Sequence, residues 1–180
     1  VAITGGLHLD GLADCADAWM GGLGSKDRTL ALMKDPTSGP FAIVVLLLLL
    51  LIKFAAIEAL LSQGQYWFFI WPLVFARLSA MILFAITPYA RKSGLGKAIS
   101  QYMNVNTVAA ISVITVLISF MFLSWKIIPV LLIAGLGLLY LRSLMMDRID
   151  GCTGDTAGAL IEINEMLTLV TLAAMLGLAS

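Results

Sequence analysis

The sequence predicts an all-α, polytopic integral membrane protein, and three observations carry that prediction. Of its 180 residues, 61% are hydrophobic, and the mean hydropathy of +1.00 lies well above that of an ordinary soluble domain. Five stretches reach the roughly 20 predominantly apolar residues that a membrane-crossing helix needs. Lys and Arg between them fall on alternate sides, as the loops on the two faces of a membrane do.

The spans are expected at 41–61, 66–87, 105–124, 127–146 and 159–179. The first holds the leucine run from Leu46 to Leu51, and the fifth carries Glu162 and Glu165 near its start. Connections are short, so the chain reads as one membrane domain over 1–180, with a polar motif region at 1–40. Lys26, Arg28 and Lys34 precede the first span, Arg91, Lys92 and Lys97 follow the second, and Arg142 and Arg148 flank the end of the fourth. Lys126 alone marks the other side. This alternation puts both acid-rich segments on the cytoplasmic face and fits Trp67, Trp71 and Trp125 as aromatic anchors at the opposite boundary.

Eleven basic residues balance 11 acidic ones, which excludes the basic excess of a nucleic-acid binder; the expected surrounding is a lipid bilayer. Cys15 and Cys152 form no Cys-x-x-Cys pair, and no structural disulfide is expected in a reducing compartment. The chain starts at Val1 with a motif from about Gly5 and no signal-peptide pattern, so a missing N-terminal segment is expected.

Ahead of the first span stands "GGLHLDGLADCADAW", residues 5–19. On a helix with a step of about 100° per residue, Asp10, Asp14 and Asp17 fall within an arc of roughly 60°. Like charges at this spacing destabilise an isolated helix, so three carboxylates in a stripe call for a cation. Mg²⁺ beside a phosphate substrate is the usual one, because it keeps some water and accepts substrate oxygens. The plainer alternative is a solvated face paired with Lys26 and Arg28. Against it stand the opposite face of Leu9, Leu12, Ala13 and Ala16 and the flanking glycines, which suit close helix packing. His8 is the single histidine; it suits a ligand contact, or equally a packed or capping group at a helix start.

A second acid-rich segment, "DRIDGCTGDTAGALIEINE", covers 147–165. A helix beginning near Thr156 has Asp155 as a plausible N-cap, and Glu162 returns seven residues later to nearly the same face. The small residues Gly154, Ala157, Gly158 and Ala159 allow another helix to approach. Two acidic helices facing one cavity suit phosphoryl transfer, in which metal ions neutralise phosphate oxygens and the protein supplies positioning.

The first two spans hold three charges, Lys53, Glu58 and Arg77. Intramembrane charges face the protein interior and have partners or ligands; Lys53 and Arg77 lie at similar depth, with Glu58 one candidate partner and a substrate anion the other. In "SKDRTLALMKDPTSGPF", 25–41, Arg28, Lys34 and Asp35 precede a turn at the membrane entrance. They could hold a diphosphate or serve as topology-setting flank charges.

These motifs, with "KFAAIEAL" and "PYARKSGLG", occur in the order and spacing of the cobalamin synthase family, the adenosylcobinamide-GDP ribazoletransferases, which the chain resembles over most of its length. The resemblance implies a Mg²⁺-dependent membrane transferase in the last stage of vitamin B12 assembly. It would join adenosylcobinamide-GDP to α-ribazole, or its 5′-phosphate, and release GMP at the cytoplasmic face of the cell inner membrane. Asp10, Asp14, Asp17 and Asp155 match the acidic positions and would serve catalysis and metal binding. His8, Arg28, Lys34, Asp35, Lys53, Arg77, Arg91 and Glu162 are the expected substrate contacts. Ala18, Thr37 and Ser38 depart from the residues common in the family. Self-association, or association with other cobalamin-assembly enzymes, is left open. A phospholipid-forming CDP-alcohol phosphotransferase is a competing reading, but its motif continues through an Ala-Arg pair where Ala16 is followed by Asp17. A divalent-cation transporter would place its acids nearer mid-bilayer.

Overall fold

The computed structural model describes residues 5–91 and 95–177. Lys92, and residues 178–179 of the fifth expected span, lie outside them. The chain forms helices α1 (Leu7–Gly21), α2 (Lys26–Leu32), α3 (Pro40–Ser62), α4 (Ile70–Ile86), α5 (Leu95–Tyr102), α6 (Val105–Leu123), α7 (Ile127–Ile149) and α8 (Gly154–Gly177). Three of the long helices carry proline in the first turn, Pro40, Pro72 and Pro129, where the missing N–H has no intrahelical partner to lose.

By length and apolarity, four helical stretches among the described residues can cross a membrane: Pro40–Ser62, Tyr66–Ile86, Val105–Ile149 and Gly154–Leu176. The third runs for 45 residues, more than twice a span, and is broken at Ser124, which takes φ 53 before a short 3-10 turn to Lys126. Both of its arms, α6 and α7, pack on α4, so the chain reverses there and the stretch supplies two antiparallel spans. The five expected spans are therefore met as α3, α4, α6, α7 and α8.

The largest shift of boundary is at α8, which starts at Gly154, ahead of both the helix start expected near Thr156 and the span expected from residue 159. Thr153 and Thr156 explain it. The backbone N–H of each donates to the other's hydroxyl, at 2.8 and 3.2 Å, a reciprocal cap that starts the helix earlier than Asp155 could. Asp155 thus lies in the first turn and is not the N-cap.

At the centre stands α8, packed on α1, α3, α4 and α7. Its buried polar residues explain why. Asn164 donates from Nδ2 to Ser79 Oγ of α4 at 2.9 Å and to the Ala134 carbonyl of α7 at 3.1 Å, joining three helices in the buried interior. A Cβ at Gly137 would stand 2.2 Å from Asn164 Oδ1, so the closeness of α7 there depends on glycine.

The acidic helix expected ahead of the first span is α1, and it reaches into the bundle. Asp17, near its end, touches the first residues of α3, whereas His8, near its start, lies 3.9 Å from Glu162, two turns inside α8. Nine residues separate the two, so α1 descends by about 13 Å. It begins after Gly5 and Gly6, both left-handed at φ 58 and 76.

Candidate active site

The site forms where α1 crosses α8. A Cβ on Gly11 would stand 2.7 Å from the Asp155 carbonyl oxygen, and one on Gly158 would stand 3.2 Å from the Cα of His8. These two glycines let the backbones touch. The contact sets Asp10 and Asp14, one residue before and three after Gly11, beside Asp155.

Arg91 completes this group from the loop after α4. The N–H of Ala90 donates to the Cys152 carbonyl at 2.8 Å, and that of Cys152 to the Pro88 carbonyl at 2.9 Å. A Cβ on Gly151 would collide with the Pro88 oxygen at 2.3 Å. The two loops are thereby locked side by side, which places the Arg91 guanidinium 2.7 Å from Asp155 Oδ2. Its Nε is buried without a hydrogen-bond partner among the described residues.

Burial, reinforced by the Asp10 and Asp155 carboxylates and opposed by Arg91, pushes the Asp14 carboxyl up to about 6. Asp17 behaves differently. Its two oxygens accept the backbone N–H groups of Gly39 and, at 3.0 Å, Ala42, which are otherwise unpaired donors at the start of α3. Of the acidic stripe read from the sequence, Asp10 and Asp14 face Asp155, while Asp17 caps a span.

Beneath this group runs a line of charge. Lys53 Nζ donates to Glu162 Oε2 at 2.6 Å and to Glu165 Oε1 at 2.9 Å, and Arg77 donates to Glu165 Oε2 at 2.7 Å. The partners of the two intramembrane cations are thus on α8. Glu58 faces outward and makes no ion pair among the described residues. His8 is half-buried beside Glu162, and burial with the Arg77 charge pulls its imidazole below the usual range.

Arg28, Lys34 and Asp35 are exposed and stand apart from this group of ion pairs. Asp35 shapes its own turn by accepting the N–H of Thr37 at 2.9 Å and the Thr37 hydroxyl. Cys15 and Cys152 are free and buried. Sequence reasoning missed the Thr153–Thr156 cap and gave no role to Tyr89, whose ring lies against Gly96. The signal for Tyr89 lay in the "PYAR" segment that also supplies Arg91.

Among the described residues no three His, Cys, Asp or Glu side chains converge closely enough to hold a metal ion unaided. The donor set nevertheless suits Mg²⁺, which is commonly held by one or two carboxylates with substrate phosphates. Burial first, and then the Asp10 and Asp155 carboxylates, raise the Asp14 carboxyl, a balance that a bound cation would reverse.

A family model described as cobalamin-5-phosphate synthase matches residues 1–173. An adenosylcobinamide-GDP ribazoletransferase of Pseudomonas syringae pv. syringae is 47% identical over 174 residues, covering 96% of this chain and 71% of the relative. One of Pseudomonas aeruginosa is 47% identical over 173 residues, at 96% and 70% coverage. One of Pseudomonas putida is 43% identical over 174 residues, at 96% and 71% coverage. No solved structure matches.

Proposed function

The chain belongs to the cobalamin-5-phosphate synthase family, and from that membership and the geometry at Gly11 we propose the chemistry of its site. It is a transferase of the final stage of cobalamin synthesis, an adenosylcobinamide-GDP ribazoletransferase embedded in the membrane by its apolar helices. The observation that carries the site assignment is the crossing of α1 and α8, which brings Asp10, Asp14, Asp155 and Arg91 together at one end of the bundle.

The substrates are adenosylcobinamide-GDP and α-ribazole or its 5′-phosphate. A ribose hydroxyl attacks the phosphorus on the cobinamide side of the diphosphate; a new P–O bond forms, the bond to the GMP phosphate breaks, and the hydroxyl proton passes to a carboxylate. Asp14 is suited to that last task, because its raised carboxyl lies close enough to neutrality to take a proton. Asp10 and Asp155 would hold Mg²⁺, with Asp14 as a further ligand when it is not the base. Magnesium, when bound, neutralises the diphosphate oxygens and the charge on the departing GMP. Arg91 orients the diphosphate through the guanidinium edge that Asp155 leaves free. Lys53, Arg77, Glu162 and His8 shape the floor beneath it.

The face is cytoplasmic on this reading, since Lys26, Arg28, Lys34, Arg91, Arg142 and Arg148 gather at the end where α1 opens, against Lys126 at the other. An inner-membrane location belongs to the same reading and is supported by the apolar helices.

The test is direct. Membranes carrying the chain, incubated with adenosylcobinamide-GDP, α-ribazole and Mg²⁺, should form GMP and cobalamin in equal amounts, read by mass. Asp14→Asn at matched expression should lose turnover by at least about a hundredfold. Near-normal GMP release by that variant would overturn the site assignment, while absence of product from the unsubstituted chain would overturn the activity.

A further inference from the structure

The end of the bundle opposite the acidic site carries a groove that the transferase chemistry does not use. It holds about 670 Å³ between α4 and α6, walled by Trp67, Trp71 and Val74 on one side and Thr115, Ile118 and Phe122 on the other. Trp71 and Phe122, on facing walls, meet at ring centroids 5.7 Å apart. Lys126, in the turn between α6 and α7, holds its ammonium 5.5 Å from the centroid of Phe68, which also lines the groove.

Two features distinguish this groove from the apolar surface around it. Lys126 has no carboxylate within ion-pair distance among the described residues, whereas Lys53, Arg77 and Arg91 are all paired. Trp67 in the lining, and Tyr66 and Trp125 in the two short 3-10 turns that precede α4 and follow α6, are exposed; such rings settle at the level of lipid headgroups. A cation without a counterion, held by an aromatic face at headgroup level over an apolar slot, is charge-complementary to a phosphate joined to a hydrocarbon chain.

We propose that the α4–α6 groove binds one anionic phospholipid of the leaflet opposite the active site, its acyl chain between Trp71 and Ile118 and its phosphate on Lys126. The site is independent of the transferase reading: it needs only that the helices span a bilayer. Its ligand class is a lipid with net negative headgroup charge, and a headgroup alone lacks the hydrocarbon that fills the slot.

The experiment uses the full chain purified in mild detergent, stripped of lipid and titrated with phosphatidylglycerol or phosphatidylcholine of matched acyl chains. Binding is read by native mass spectrometry and by quenching of tryptophan fluorescence with brominated acyl chains. Phosphatidylglycerol should bind about fivefold more tightly than phosphatidylcholine, the effect expected of one lysine beside an anionic headgroup. Lys126→Gln should abolish that preference while leaving quenching by either lipid. Ile118→Phe, which fills the slot, should reduce quenching by both, and glycerol phosphate should not displace bound lipid. Equal affinity for the two lipids in the unsubstituted chain would overturn the proposal. So would an unchanged preference in Lys126→Gln, or displacement by glycerol phosphate. A protein partner retained on this face in place of lipid would also overturn it.

Discussion

The carboxylate of Asp17 accepts the backbone N–H groups of Gly39 and Ala42, so the last acid of the α1 stripe fixes the point at which α3 enters the membrane. The Cβ of any residue replacing Gly39 would come within 2.8 Å of Asp17 Oδ1, which makes the two positions a matched pair.

Asp17 should therefore report on stability more than on turnover. Replacement by Ala leaves two N–H groups at the start of α3 without acceptors and should cost about 0.5–2 kcal/mol, seen as a lower melting temperature in detergent. Asp17→Asn keeps one of the two acceptors and so part of the cap, and its GMP release per folded molecule should stay within a few-fold of the unsubstituted protein. If Asp17→Asn melts normally yet is as inactive as Asp14→Asn, the capping role is wrong and Asp17 belongs with the metal ligands.

The crossing at Gly11 should be intolerant of a single methyl group. Gly11→Ala places a Cβ 2.7 Å from backbone atoms of Asp155, which cannot rotate away, so α1 must lift from α8. Overpacking of this kind costs about 1–3 kcal/mol, and the displacement separates Asp10 and Asp14 from Asp155, so turnover should fall more steeply than expression. Gly135→Ala on α7 is the control, since nothing lies within 4 Å of its added Cβ. Equal activity of the two variants would remove the crossing from the site.

Much of this was legible in the sequence because the bilayer writes length and charge rules onto it. The five spans, the acidic face of α1 and the approach of small residues around Gly158 all follow from periodicity, apolar length and residue size. The partners of the buried cations were not legible. Glu58 lies five residues after Lys53 on α3, about 140° around the helix, so α3 itself turns it outward, whereas only the rotation of α8 against α3 decides that Glu162 and Glu165 meet Lys53. The Thr153–Thr156 cap was hidden for a related reason: Asp155 is the stronger capping residue by type, and two threonines three apart bond each other only once Gly151 has fixed the loop against Pro88. Asp14 and Asp17 are identical by pattern, and only the position of Gly39 separates their roles.

Lys53 should be indispensable to folding for electrostatic reasons. It is buried and bonded to Glu162 and Glu165 at once. Lys53→Met leaves Glu162 with no cationic partner except a neutral His8, and uncompensated buried charge costs about 3–5 kcal/mol. Folded yield in membranes should drop sharply. Adding Glu162→Gln removes the stranded charge while Arg77 still serves Glu165, so the double variant should recover most of the yield. A double variant no better than Lys53→Met would show that the chain of charge does not hold α3, α8 and α1 together.

Asp14 sets how the protein responds to acid. Its carboxyl sits at about 6 in the folded, metal-free chain against an ordinary 3.8, so the folded state binds this proton more tightly than the unfolded state. The sign follows from linkage: this group's contribution to stability is fully present below about 3.8 and is lost as pH rises through about 6. Metal-free protein should thus gain stability from Asp14 as pH falls from 7 to 5, and Asp14→Asn should lack that gain. Magnesium binding runs the other way, because the ion must compete with the proton. Below about pH 6 the apparent Mg²⁺ affinity should weaken by up to about tenfold per pH unit, and raising Mg²⁺ should move the acid limb of turnover to lower pH. Mg²⁺ titrations at pH 5, 6 and 7 followed by Trp19 fluorescence, with Asp14→Asn in parallel, provide the check. An Mg²⁺ affinity that stays constant across this range in the unsubstituted protein would show that Asp14 neither binds the ion nor faces it.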